Sequence, residues 1–225
     1  MKDEYEGPAE DAVLYSWTVI MIVLGGVMFA LGLYHTRMLP SGKHAHSVTS
    51  FSQSMAELWN VIRNFFTKKH ILYYICFIIL YRLAEGFIMK IAPLFLRASR
   101  DVGGLGLSLT EIGTLNGIFG SAAFVLGSLL AGIYVSKFGL KKTLFTLCCI
   151  FNLPFVAYTF LAVAQPTNVY LIGTCITMEY FGYGFGFVGL TLFMMQQIAP
   201  GKHQMAHYAF ASGIMNLGVM IPGML

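Results

Sequence analysis

Charge is what this sequence has least of. Only 11% of its 225 residues are Asp, Glu, Lys or Arg, where a soluble domain carries about a quarter. That shortage excludes an ordinary water-soluble fold. The net charge is +4, and nucleic acid is not an expected partner. Catalytic signatures are missing as well. There is no GxSxG, no HExxH, no Walker A loop and no cysteine–histidine cluster, and no His has an Asp five positions on. These absences remove the common hydrolase, metalloprotease, nucleotide-hydrolase and membrane-acyltransferase patterns. No enzyme activity, cofactor or metal is expected. The four cysteines, Cys76, Cys148, Cys149 and Cys175, form no CxxC pair and lie in apolar stretches, where a free thiol behaves as a small packing residue. The first eleven residues are acidic, the wrong sign for a cleavable signal peptide, so none is expected.

What fills the chain instead is apolar: 57% hydrophobic residues, gathered into five long runs and part of a sixth. They cover residues 13–35, 71–96, 107–136, 140–163, 169–198 and 205–225. Each is of the order of the roughly 20 residues that cross a bilayer as a helix. The expected fold is therefore all-α and integral to the membrane, with about six transmembrane helices. Pro93 should bend or stop the second, and Pro154 should kink the fourth. Gly184-Phe-Gly-Phe-Val-Gly189 matches GxGxxG, but no strand precedes it and it lies in mid-span, so it is not a nucleotide loop. The pairs Gly113/Gly117 and Gly182/Gly186 read as close helix packing. The last run carries no polar tail, and the chain reads as cut inside a helix.

Lysine and arginine set the orientation. Arg37, Lys43, Arg63, Lys68 and Lys69 share the first loop, Lys137, Lys141 and Lys142 the third, and Lys202 the fifth. By the positive-inside rule these loops are cytoplasmic and the N-terminus is outside. Within the first loop Met55, Leu58, Trp59, Ile62, Phe65 and Phe66 follow helical spacing. Ser54 and Glu57 have capping-box spacing. The expectation is a surface helix over residues 54–66, with Trp59 and both Phe directed into the membrane interface.

Two runs hold charges at membrane depth, which cost at least about 2.5–3.5 kcal/mol each unless they face protein, ligand or water. Arg82 and Glu85 are three apart and share a helix face. They read either as a structural ion pair or as part of a polar path for substrate or protons. Glu179 has no basic neighbour on its own helix, and Tyr183 lies one turn on. A carboxyl group out of water and away from cations favours its neutral form, which suits proton-coupled movement. Asn116 and Asn216 are further buried polar candidates, and helix glue is the alternative for both. His207, just inside the last run, is the histidine placed to titrate. Arg82, Glu85, Glu179 and Tyr183 are expected to share one polar cavity.

Gly132-Ile-Tyr-Val-Ser-Lys137-Phe-Gly139-Leu-Lys141-Lys142 joins the third and fourth runs. Gly132 should let helices approach, Gly139 should allow a tight turn, and Lys137, Lys141 and Lys142 should anchor at the inner surface. This segment resembles the gating-loop signature of the major facilitator superfamily, with Ser136 where that signature has Asp. Three more segments, Ile79-Leu-Tyr-Arg-Leu-Ala-Glu-Gly-Phe87, Leu109-Thr-Glu-Ile-Gly-Thr-Leu-Asn116 and Met178-Glu-Tyr-Phe-Gly-Tyr-Gly-Phe-Gly186, look like successive helices of the AmpG-type muropeptide permeases. Ala206-His-Tyr-Ala209 looks like part of the following one. The resemblance implies the C-terminal half of such a transporter. Residues 1–36 would be the last helix of the N-terminal bundle, 37–69 the central cytoplasmic loop, and 70–225 the C-terminal bundle. It implies proton-coupled import of anhydromuropeptides across the bacterial cytoplasmic (inner) membrane, with substrate or protons at Arg82, Glu85, Asn116, Glu179 and Tyr183. The implied partners are a muropeptide-like small molecule, protons, the lipid bilayer and the missing N-terminal half. A transporter of another anionic or sugar-containing metabolite (acetyl-CoA-like) and a small non-transporting assembly subunit are the alternatives.

Overall fold

The computed structural model describes residues 8–39 and 50–223. Lys43, the acidic residues before Pro8 and the final two residues lie outside them. Two units are described separately, divided after Gln53. The first holds α1 (Pro8–Met38), an apolar helix of 31 residues.

The second unit is a helical bundle. It contains most of α2 (Phe51–Phe66), then α3 (Ile71–Arg97), α4 (Leu109–Gly113), α5 (Ser121–Phe138), α6 (Leu140–Asn152), α7 (Pro154–Ala164), α8 (Val169–Phe193) and α9 (Gln204–Met220). No strand occurs among the described residues. Four stretches are long and apolar enough to span a membrane: Ala12–Met38, Ile71–Arg97, Leu109–Phe138 and Leu140–Ala164. The fold is all-α and membrane-integral. At 25 residues, α8 is about 37 Å long at 1.5 Å per residue, but its glycines, tyrosines and Glu179 dilute its apolarity. The last helix, α9, has 17 residues.

Local sequence explains the breaks. Pro154 stands at the first turn of α7 and divides it from α6, as expected, since it offers no N–H to the preceding turn. Pro93 stays inside α3, and the helix ends one turn later at Arg97. The third span is a single rod in which α4 and α5 are joined by a π-helical segment, Thr114–Gly120. A second π segment, Met194–Ile198, closes α8. Gly139 alone turns α5 into α6 with φ of 80°, a backbone conformation that favours glycine.

The central helix is α8, packed on α5, α6 and α7. Close approach needs glycine there. A Cβ at Gly182 would lie 2.7 Å from the Ile150 carbonyl oxygen, and one at Gly184 would collide with the Phe124 carbonyl. On the other side of the bundle α3 crosses α9, where Gly86 meets the Val219 backbone. The expected glycine contacts divide. Gly182 and Gly186 press on α6 and α7, but a Cβ at Gly113, Gly117 or Gly132 would meet nothing within 4 Å among the described residues. Gly120 and Gly127 make the contact with α8 instead, through Tyr180 and Phe181.

The surface helix begins earlier than its capping-box spacing suggests. Since α2 starts at Phe51, Ser54 lies within the helix and is not its N-cap. Ser108 and Glu111 form a capping box at the start of α4. Trp59 is 66% exposed and Phe66 is exposed, but Phe65 is 1% exposed and packs on His207 and Phe210 of α9. One of the two Phe thus belongs to the bundle and not to the interface.

Candidate functional site

Helical spacing brings Arg82 and Glu85 to one face of α3, and the bundle closes over them: they are 5% and 7% exposed. Arg82 Nη1 donates to Glu85 Oε2, the only ion pair among the described residues. The guanidinium also lies over the rings of Tyr183 at 5.7 Å and Phe187 at 5.4 Å, both on α8, an arrangement that favours a cation. The Tyr183 hydroxyl lies beside both members of the pair. Two buried polar atoms are left over: Arg82 Nε and Glu85 Oε1 make no hydrogen bond.

Glu179 sits one turn before Tyr183 on α8. Its Oε2 accepts a hydrogen bond of 2.8 Å from the Tyr158 hydroxyl of α7. Glu85, Glu179 and Tyr183 line one small cavity of about 20 Å³, whose other walls are Ile88, Phe151, Pro154 and Phe155. Arg82 is not in its lining but stands behind it, on the Glu85 carboxylate. A cavity of this size has room for a water molecule, not for a ligand of the usual several hundred Å³.

Other sequence candidates lie elsewhere. Asn116 falls in the π segment of the third span, away from that cavity, with its Oδ1 buried and without a hydrogen bond. His207 is 2% exposed between Phe65 and His203. Lys137, Lys141 and Lys142 are exposed, and Lys137 Nζ lies 5.5 Å from the Phe138 ring. Ser136, in the place of an acid, turns its hydroxyl back to the Ile133 carbonyl of its own helix at 3.0 Å, so it offers no charge to a relay. Among the described residues no group of His, Cys, Asp and Glu is placed to hold a metal.

The structure adds residues that sequence reasoning missed. Tyr158 is one, and nothing but a hydroxyl inside an apolar helix signals it. Tyr81 is another: it is buried, and its hydroxyl donates to the Gly186 carbonyl at 2.9 Å. Two cations flanking α3 tie down the ends of α8. Before α3, Lys68 Nζ donates to the carbonyls of Ile198 and, at 2.8 Å, of Pro200. After α3, Arg100 donates to the carbonyls of Gln165 at 3.0 Å and Pro166 at 2.8 Å. Partial burial lowers the Lys68 ammonium below its ordinary pKa, because lost hydration disfavours the charged form. These contacts also put Lys68 and the fifth loop at one end of the bundle and the second and fourth loops at the other.

The family model of the Major Facilitator Superfamily matches residues 11–225. Over 125 residues, 56% of this chain, the sequence is 25% identical to the anhydromuropeptide permease of Escherichia coli strain K12, and equally to that of Escherichia coli O157:H7. The matched region is 24% of the length of either relative. No solved structure matches the chain.

Proposed function

The chain belongs to the Major Facilitator Superfamily, and on that premise we propose that it forms the C-terminal half of a proton-coupled importer of anhydromuropeptides in a bacterial cytoplasmic membrane. The observation that carries this reading is the buried Arg82–Glu85 pair, whose Glu85 lines one small cavity together with Tyr183 and Glu179. Lipid gives no reason to keep two acids and a cation at that depth. A transported solute with a carboxylate and sugar hydroxyls does. Arg82 would receive the carboxylate, Tyr183 would stack on or hydrogen-bond to a sugar, and Glu179 would take the proton. Substrate sites between the halves of such transporters lie near the bilayer midplane. The named relatives favour muropeptides as the cargo. A helix-locking ion pair would need none of the leftover polar atoms at Arg82 and Glu85.

The test is uptake of labelled anhydromuropeptide by the full-length protein in cells or proteoliposomes, against a panel of other anionic and sugar-containing metabolites. Saturable uptake that rises as the outside is acidified is the expected result. Glu179→Gln should retain binding and lose the pH dependence. Uptake of a different metabolite from the panel would keep the transporter and replace the cargo. Normal pH-dependent uptake by Glu179→Gln would remove Glu179 as the proton carrier.

A further inference from the structure

We infer that the small cavity between α3 and α8 holds a single water molecule that joins Glu179 to Glu85 as a proton path. The inference rests on the proton-coupled reading above and adds the route the proton takes. Its volume, about 20 Å³, exceeds the roughly 10–15 Å³ a water needs and admits nothing much larger. Three polar side chains line it, Glu85, Glu179 and Tyr183, within the two to four partners that a buried water takes. The remaining walls, Ile88, Phe151, Pro154 and Phe155, are apolar.

The hydrogen bonds already made leave oxygens free for this role. Glu85 Oε2 is held by Arg82, while Oε1 is buried and has no partner. Glu179 Oε2 is held by Tyr158. Other titratable groups surround the two acids. Helix α3 brings Arg82 and Tyr81, α8 brings Tyr180 and Tyr183, α7 brings Tyr158 and α6 brings Cys148. Arg82 alone among these bears a fixed charge.

The step balances without a co-reactant. The Glu179 carboxyl O–H breaks as its proton passes to the water oxygen, and one water O–H breaks as its proton passes to the Glu85 carboxylate. The water is regenerated, Glu179 becomes a carboxylate and Glu85 becomes neutral. Tyr158 is already donating to Glu179 and stabilises the charge left there. Arg82 loses its counter-charge and becomes free to accept an anionic group of the cargo. One proton and one anionic group are thereby exchanged at Arg82.

Two measurements on the full-length protein test this. Infrared difference spectra of the wild type between acid and alkaline pH should contain an O–H stretch from one isolated water that shifts in H2(18)O. They should also contain a Glu85 carboxyl band, identified by its loss in Glu85→Gln, that fails to develop in Glu179→Gln. Absence of the water band, or a Glu85 band that titrates normally in Glu179→Gln, overturns the path. The second measurement fills the cavity. Ile88→Phe and the milder Ile88→Met should lower proton-driven accumulation about ten-fold while substrate counterflow, which needs no net proton movement, continues. Full accumulation by both variants overturns the proposal. A wild type that shows the infrared signature but no proton-driven muropeptide uptake would leave the water path standing and defeat the transport reading instead.

Discussion

Lys68 and Arg100 flank α3, and each donates to two main-chain carbonyls at an end of α8. Arg82, in the middle of the same helix, pairs with the Glu85 carboxylate of α3 itself and lies over two aromatic rings of α8. All three cations join α3 or its flanking turns to α8 or its flanking turns, but their partners differ in kind. A carbonyl carries no proton to lose, so the ends of the pair hold at any ordinary pH. A carboxylate can be protonated, and at the middle one protonation changes the charge balance of the whole cluster. The ends also leave less undone, because each latch delivers two hydrogen bonds to main-chain carbonyls at the last residue of the second π segment or in the turns beside α8. At the middle, Arg82 Nε and Glu85 Oε1 remain unpaired. Fixed partners at the ends and an exchangeable partner at the centre are what a helix pair needs if its centre works while its frame stays put.

The largest expected effect comes from breaking the middle. Arg82→Met leaves Glu85 buried without a counter-charge, a loss of about 3–5 kcal/mol, and should abolish uptake. Pairing it with Glu85→Leu should restore most of the thermal stability in detergent and none of the transport. If the double variant transports, the central pair is a structural lock like the two ends, and the contrast between middle and ends disappears.

A second variant asks whether backbone contact or charge holds the middle together. Gly184→Ala drives a Cβ into the Phe124 carbonyl between α5 and α8, an overpacking that costs about 1–3 kcal/mol. Gly132→Ala, where a Cβ meets nothing within 4 Å, should leave the melting temperature within error. Equal melting temperatures for the two would mean that the close approach at α8 contributes nothing.

Much of this was legible in the sequence because it depends on local pattern. Long apolar runs gave the helices, Pro154 gave the break before α7, and a three-residue spacing put Arg82 and Glu85 on one face. What escaped notice is non-local or lies in the backbone. Lys68 meets Ile198 across 130 residues and Arg100 meets Gln165 across 65, and no spacing rule reaches that far. Tyr158 looks like any aromatic in an apolar helix until α7 is set beside Glu179. The two π segments are shifts in backbone hydrogen bonding that side-chain periodicity does not record. Gly132 and Gly113 meet no neighbour within 4 Å among the described residues. A small residue permits close approach, but tertiary packing decides which face of the helix is approached. The box at Ser54 and Glu57 shows the same limit at a helix end, since Ser–x–x–Glu spacing recurs inside helices as well as at their starts.

The smallest effect is at the Lys68 latch, and it tests the claim that the ends do not titrate in the working range. Lys68→Met removes the hydrogen bonds to Ile198 and Pro200. Because the ammonium is only partly buried, water replaces part of them, and the cost should be about 1–2 kcal/mol, near the low end for charged hydrogen bonds. Uptake should keep its pH profile, since Lys68 touches no acid of the central cluster. The latch leaves its own mark at alkaline pH. Burial lowers the folded-state value below the ordinary lysine value of 10.5, so between the two the unfolded chain binds more protons than the folded one. Stability therefore rises slightly as pH climbs through that window and is flat below it. In Lys68→Met the rise should be missing. A variant that instead shifts the uptake profile near neutral pH would show that the Lys68 end is coupled to the central carboxyl groups, and the division between a fixed frame and a titrating middle would no longer hold.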